Sequence, residues 1–150
     1  MDQILFNLLK RLSDLFKANN WTLFLLDPKT EELYFGVVVG LDKVSLADVR
    51  IGLGVGIAGT VALTGEPILV PEVQHDTRFS NRVDFLTGFV THSIICLPLK
   101  MQGAVIGVIE IVNPEDMSLF QDNFMPLLSI LADYVAIAIH NARTYRKIES

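Results

Sequence analysis

The sequence predicts an α+β domain: a central antiparallel sheet of about six strands, two terminal helices on one face, and a short helix with a lid on the other. Three observations lead there. Apolar residues recur at spacings of three and four near both ends of the chain, which is the helical period. Two stretches, 21–39 and 93–112, read as β-hairpins, each a pair of apolar runs about a turn. Between them lie a glycine-rich segment, Gly52 to Pro67, and a long connection over 71–92.

The elements follow in order. Over 2–18, Leu5, Leu9, Leu12 and Phe16 form one helical line, which Ile4, Leu8 and Leu15 widen, and Asn19-Asn20 end it. Trp21 to Leu26 is a strand. Asp27-Pro28-Lys29-Thr30 is its turn, with proline presetting φ, and Leu33 to Val39 is the returning strand. A third strand is expected near Val49 to Leu53. The apolar run Ile57 to Leu63 is long enough for two helical turns, which Gly65 and Pro67 stop, and Pro67 to Val70 is a short strand. Residues 71–92 mix Phe79, Phe85 and Phe89 with hydroxyls and charges, the composition of a lid, with a short helix near Phe79 to Leu86. Ser93 to Met101 and Ala104 to Val112 pair about Gln102-Gly103, and their nearly continuous apolar character predicts cover on both faces. A last helix is capped near Asn123, with Pro126 in its first turn.

Composition bounds the function. The chain has 150 residues, 51% hydrophobic and 19% charged, which suits one folded domain over 1–150. Because it begins and ends inside helical patterns, it reads as a domain excised from a longer signalling protein. A net charge of −5 argues against nucleic acid or an anionic membrane as partner. No apolar run reaches the length of a membrane span. One cysteine, Cys96, excludes an internal disulfide framework, and a cytoplasmic location is expected.

The glycine-rich segment carries two readings. Gly54-x-Gly56-x-x-Gly59, with Glu72 downstream, matches the dinucleotide-binding pattern, which requires a preceding strand and a long following helix in a parallel βαβ unit. The run after it is too short for the usual crossover helix. The other reading is a resemblance. Gly56-Ile57-Ala58-Gly59-Thr60-Val61-Ala62 and Thr64-Gly65-Glu66-Pro67-Ile68-Leu69-Val70-Pro71 resemble the centre of a GAF domain. So, in order, do Ser93 to Leu99, Val105 to Asn113 and Ala136 to Ala142, and together the blocks cover nearly the whole chain. The resemblance implies a small-molecule-sensing regulatory module rather than an enzyme.

Residues that could carry chemistry are few. His75, His92 and His140 stand apart, and Glu72-x-x-His75-Asp76 lacks a second ligand at metal spacing. A haem held by His75 or His92 has nothing to select it, so no cofactor and no metal are expected. Cys96 sits in a strand pattern as a small hydrophobe. GAF-like methionine sulfoxide reductases use several cysteines, and bilin-binding relatives a cysteine in another local motif; this chain has neither.

Thr87-Gly88-Phe89-Val90-Thr91-His92-Ser93-Ile94-Ile95-Cys96 is similar to the matching segment in cyclic-nucleotide phosphodiesterases and adenylyl cyclases. That resemblance implies binding residues at Ile57, Ala58, Asp84, Thr87, Thr91 and Glu110, with helix-start N–H groups at Ile57 and Ala58 meeting a phosphate. It also has departures. The family's base-reading acid falls near Gly36 after Phe35, and Ser80 replaces a pocket aromatic. Asn113 and Phe120 keep part of the family signature, but its Lys is Pro114 and its Asp and Glu are Phe124 and Met125. The expected pocket is lined by Phe24, Phe35, Ile57, Ala58, Val61, Phe79, Phe89, Thr91 and Ile95, and takes a small molecule, with a cyclic nucleotide one alternative and an empty dimerisation scaffold another. Apolar surface over 2–18 and 127–148 exceeds what one sheet hides, which predicts a homodimer that passes the state of the pocket to an output domain.

Overall fold

The computed structural model describes residues 2–15, 17–40, 44–80, 84, 86, 88, 90–116 and 125–149. Its elements are helix α1 (Asp2–Leu15), strands β1 (Ala18–Asp27), β2 (Glu32–Val39) and β3 (Arg50–Gly52), helix α2 (Gly56–Thr64), strands β4 (Ile68–Val70), β5 (Ile94–Met101) and β6 (Ala104–Pro114), and helix α3 (Met125–Glu149), with 3-10 turns at Val44–Leu46 and Val73–His75. The strands form one six-stranded sheet in the order β3-β2-β1-β6-β5-β4, antiparallel throughout. The long strands β1 and β6 stand at its centre, and three-residue strands close its edges. Short edges leave little open backbone for a further strand to pair with.

Alternation along the central strands divides the core in two. Trp21, Leu23 and Leu25 of β1, Ile109 and Ile111 of β6, and Ile95, Leu97 and Leu99 of β5 point to one side. There they pack against Leu9 and Leu12 of α1 and against Leu128, Ala132, Val135, Ala136 and Ile139 of α3. Phe24, Val108, Val112, Ile94 and Cys96 point to the other side, under Ile57, Ala58, Val61 and Ala62 of α2. The terminal helices therefore share one face and α2 covers the other, as expected.

The structure corrects the start of β1. Asn19-Asn20 do not end the first helix; they belong to the strand, which runs from Ala18 with Asn20 opposite Val112. Pairing with the long strand β6 supplies those backbone groups with partners, and this outweighs the turn preference of asparagine.

A second local feature decides which side chains face which way. Opposite Phe24, β2 carries an extra residue: Leu23 pairs with Val37 and Phe24 with Phe35, leaving Gly36 as a bulge. A Cβ at Gly36 would lie 2.9 Å from the Leu25 side chain, on the side of the terminal helices. The bulge restores phase, so that Phe35 and Val38 both face α2.

Helix α2 is held close to the chain that enters it. The Gly54 N–H donates to the Gly59 carbonyl, and a Cβ at Gly59 would run into the carbonyl oxygen of Gly52. Gly65 ends the helix in the left-handed conformation at φ 72°, returning its N–H to the Val61 carbonyl. With nine helical residues and an antiparallel sheet around it, this is not a dinucleotide-binding βαβ unit.

Candidate ligand-binding site

A pocket of about 750 Å³, counting its open mouth, lies between the sheet and α2. Asn20, Thr22 and Phe24 of β1, Phe35 of β2, and Glu110 and Val112 of β6 form its floor; Ile94 and Thr91 form one wall. Val49, Ile51 and Val55 line it beside Gly56, Ile57 and Ala58, and Phe79, Ser80 and Asp84 close it from the long connection. Phe24 and Phe35 stack at a tilt, with ring centroids 4.6 Å apart. Such a mixture of apolar wall and a few convergent polar groups suits a small ligand with a polar end.

The start of α2 is the pocket's donor surface. The first intrahelical bond runs from the Gly59 N–H to the Val55 carbonyl, and no side chain caps the helix. The N–H groups of Gly56, Ile57 and Ala58 thus have no helical acceptor, and these residues line the pocket. Uncapped N–H groups at a helix start favour an anionic or acceptor group.

Hydrogen bonds among the described residues hold the lid. The Thr91 N–H and hydroxyl both donate to the Asp84 carboxylate, at 2.8 and 2.6 Å. The Asn113 side chain accepts from the N–H groups of His92 and Ser93, at 2.6 and 3.1 Å, and donates to the Val90 carbonyl at 2.9 Å. Asn113 itself adopts φ 52°, a left-handed conformation that asparagine tolerates better than most residues. At the other end, Asp76 holds the Arg78 guanidinium and its backbone N–H, and the guanidinium keeps the Asp76 carboxyl below its ordinary range. Asp84 and Leu86 are helical, within the span where a short helix was expected.

Glu110 is the electrostatic exception. It stands between Ile109 and Ile111, opposite Thr22 and Cys96, half-buried and lining the pocket. Burial, and then the charge of Asp84, push its pKa up to about 7. No hydrogen bond from a described residue reaches the carboxyl, and no lysine, arginine or histidine lines the pocket among the described residues. Burial, and then Glu110, also push the Cys96 thiol well above its usual range, which leaves it protonated and a poor nucleophile.

Among the expected site residues, the structure brings Phe35, Ile57, Ala58, Phe79, Asp84, Thr91 and Glu110 to one pocket, together with Phe24. Thr87 and Phe89 lie outside the described residues, as do Phe120 and Phe124. Val61 is buried behind the wall without lining it. Ile95 belongs to the opposite face, against the terminal helices; Ile94 takes its place. Gly36 is likewise no position for a base-reading acid, since a side chain there would meet Leu25. Asn20 and Thr22 were not anticipated, although alternation with Trp21, Leu23 and Leu25 was the signal for them. His75 pairs with Glu72 at 3.1 Å on the surface, and no cluster able to hold a metal ion occurs among the described residues.

A small antiparallel sheet carries a lidded pocket on one face and the terminal helices on the other, an α+β arrangement. The GAF domain family model matches residues 1–139, and the chain belongs to the GAF family. It is 33% identical to a probable 3',5'-cyclic phosphodiesterase, pde-5, of Caenorhabditis elegans, over 99% of this chain and 21% of that protein. It is 37% identical to the dual 3',5'-cyclic-AMP and -GMP phosphodiesterase 11 of Drosophila melanogaster, over 67% of this chain and 7% of that protein. The chain thus spans 21% and 7% of these two relatives. Among solved structures, the GAF domain of a phosphoenolpyruvate-protein phosphotransferase from Coxiella burnetii superposes with a TM-score of 0.85 at 23% identity, over 97% of this chain and 86% of that one.

Proposed function

We propose that this domain is a non-catalytic sensor that binds a cyclic nucleotide under the lid and passes its occupancy to an attached output domain through its terminal helices. The observation that carries the reading is the pocket's polarity: uncapped N–H groups of Gly56, Ile57 and Ala58 at one end, Thr91, Asp84, Thr22 and Glu110 about the rest, and aromatic rings between. A cyclic phosphate fits the helix start, and a ribose and base offer donors and acceptors to the other groups. The likeness to two cyclic-nucleotide phosphodiesterases supports the same ligand class. The single thiol, Cys96, lies behind the pocket and is buried and protonated, a poor nucleophile, which supports a binding role for the pocket.

Titration calorimetry with cyclic GMP and cyclic AMP tests this. Binding of at least one is expected, weakened about tenfold or more by Thr91→Ala, which removes a hydroxyl from the wall and a partner from Asp84. No heat with either nucleotide up to millimolar concentration would remove the ligand from the proposal. One observation favours a second reading, a dimerisation scaffold: Asp84 and Thr91 already satisfy one another, so the lid is tied without a ligand. Titration silence together with a dimer in solution is the outcome that reading expects.

A further inference from the structure

We propose that Glu110 enters the ligand complex as a neutral acid, so that binding an anionic cyclic nucleotide takes up a proton and weakens as the pH rises above neutrality. The inference rests on the cyclic-nucleotide reading and adds to it a pH sensitivity built into the pocket floor.

The geometry leaves Glu110 little choice. Its neighbours across β1 and β5 are Thr22 and Cys96, neither of which carries a positive charge. The groups facing it from elsewhere are Asp84 on the lid, a second carboxyl, and the N–H groups that open α2. Asp84 has donors of its own, the N–H and hydroxyl of Thr91. Glu110 has none among the described residues, and none of those lining the pocket is a cation. Two carboxyls facing one cavity cannot both ionise freely, and burial sets Glu110 against its charged form. Already in the free pocket burial and Asp84 raise its pKa to about 7. A ligand phosphate brings a further negative charge and displaces water, and both effects favour the protonated form further. The neutral acid then offers an O–H to a ligand acceptor, which the carboxylate cannot do.

Linkage fixes the sign. Where the free protein has lost the Glu110 proton and the complex has regained it, the dissociation constant rises by up to about tenfold per pH unit. Between pH 7 and pH 8.5 the wild type should therefore weaken by about tenfold or more, with a slope that vanishes below pH 6. Titrations of the intact chain with cyclic GMP and cyclic AMP at pH 6, 7 and 8.5 read this directly. Repetition at pH 7.5 in two buffers of different ionisation enthalpy should show net proton uptake of up to one proton. Glu110→Gln, which keeps the shape and a donor but cannot ionise, should flatten the profile and bind more tightly than wild type at pH 8.5. An affinity independent of pH in the wild type, or proton release on binding, overturns the inference while leaving the nucleotide reading in place. Loss of binding in folded Glu110→Gln at pH 6 overturns it too, since that outcome demands the carboxylate. Should that variant not fold, the wild-type proton count decides alone. Silence with both nucleotides at every pH overturns the underlying reading, and the inference with it.

Discussion

At the scale of single residues, two side chains carry most of what the site depends on. Glu110 is costly to the fold when ionised. Its folded pKa of about 7 lies above the ordinary carboxyl value of 4.5, so its favourable contribution is complete below that value. As pH climbs from 4.5 to 7, the unfolded chain ionises first and stability is lost; above 7 the loss is complete. Glu110→Gln should be more stable than wild type at pH 8 by up to about 3 kcal/mol, with the gap closing towards pH 4.5. Urea unfolding at the two pH values checks this, and an equal difference at both would mean that Glu110 ionises unhindered. Asn113 is the other. Three of its hydrogen bonds clasp residues 90–93 to the end of β6. Asn113→Gly keeps access to φ 52° and loses the clasp, so it isolates the hydrogen bonds from the backbone strain. It should cost about 1–3 kcal/mol and speed amide exchange at His92 and Ser93. Of these two residues the sequence shows one plainly: a charge alternating with Ile109 and Ile111 has to face a cavity or another polar group. Nothing local marks the Asn113 clasp, because its partners lie about twenty positions away.

At the scale of elements, α2 is the piece whose placement makes the donor surface. Gly59 lets its backbone lie against the Gly52 carbonyl, and there is no room for a methyl group. Gly59→Ala should push the helix off β3, lower stability by about 1–3 kcal/mol and weaken ligand binding severalfold, because the N–H groups of Ile57 and Ala58 move with it. Calorimetric affinity measured beside a urea melt separates the two effects; a melt that falls with affinity untouched would show that the helix start takes no part in binding. Element identity was largely readable here: Gly65 stops α2 as glycine in the left-handed region must, and Gln102-Gly103 turns the second hairpin with φ of 53° and 82°. Facing was less readable. A strand side chain changes sides with each residue, so a run of apolar residues such as Ile94-Ile95-Cys96-Leu97 gives no phase from within. The structure supplies the phase from outside, by pairing Ile95 with Ile111 and Cys96 with Glu110. The bulge at Gly36 is invisible for the same reason, since it appears only when β2 is laid against β1.

At the scale of the whole molecule, the face opposite the pocket is not finished. Helix α3 has 25 residues, about 37 Å, and packs over β5 and the neighbouring β6. Its inner residues Leu128, Ala132, Val135 and Ile139 are buried in the core, yet Ile130, Tyr134 and Ile137 stand 64%, 64% and 47% exposed. Spaced by four and three, they form a second apolar stripe along the helix, and α1 adds Phe6 at 39% exposure. A second copy of the chain is the occupant we propose, because a stripe running along one helix can meet its own counterpart about a two-fold axis. Such a pair would tie the pocket to an output domain: β5 and β6 carry Ile94 and Glu110 on the pocket side and the contacts of α3 on the other. A shift of those strands on binding would thus reach the dimer seam through one layer of side chains. Sedimentation at tens of micromolar should show a dimer for wild type. Ile130→Glu combined with Tyr134→Glu should give a folded monomer, because these side chains touch solvent and not the core in the single chain. If wild type sediments as a monomer, the stripe is not a self-association surface, and any coupling from pocket to output would have to run along α3 within one chain.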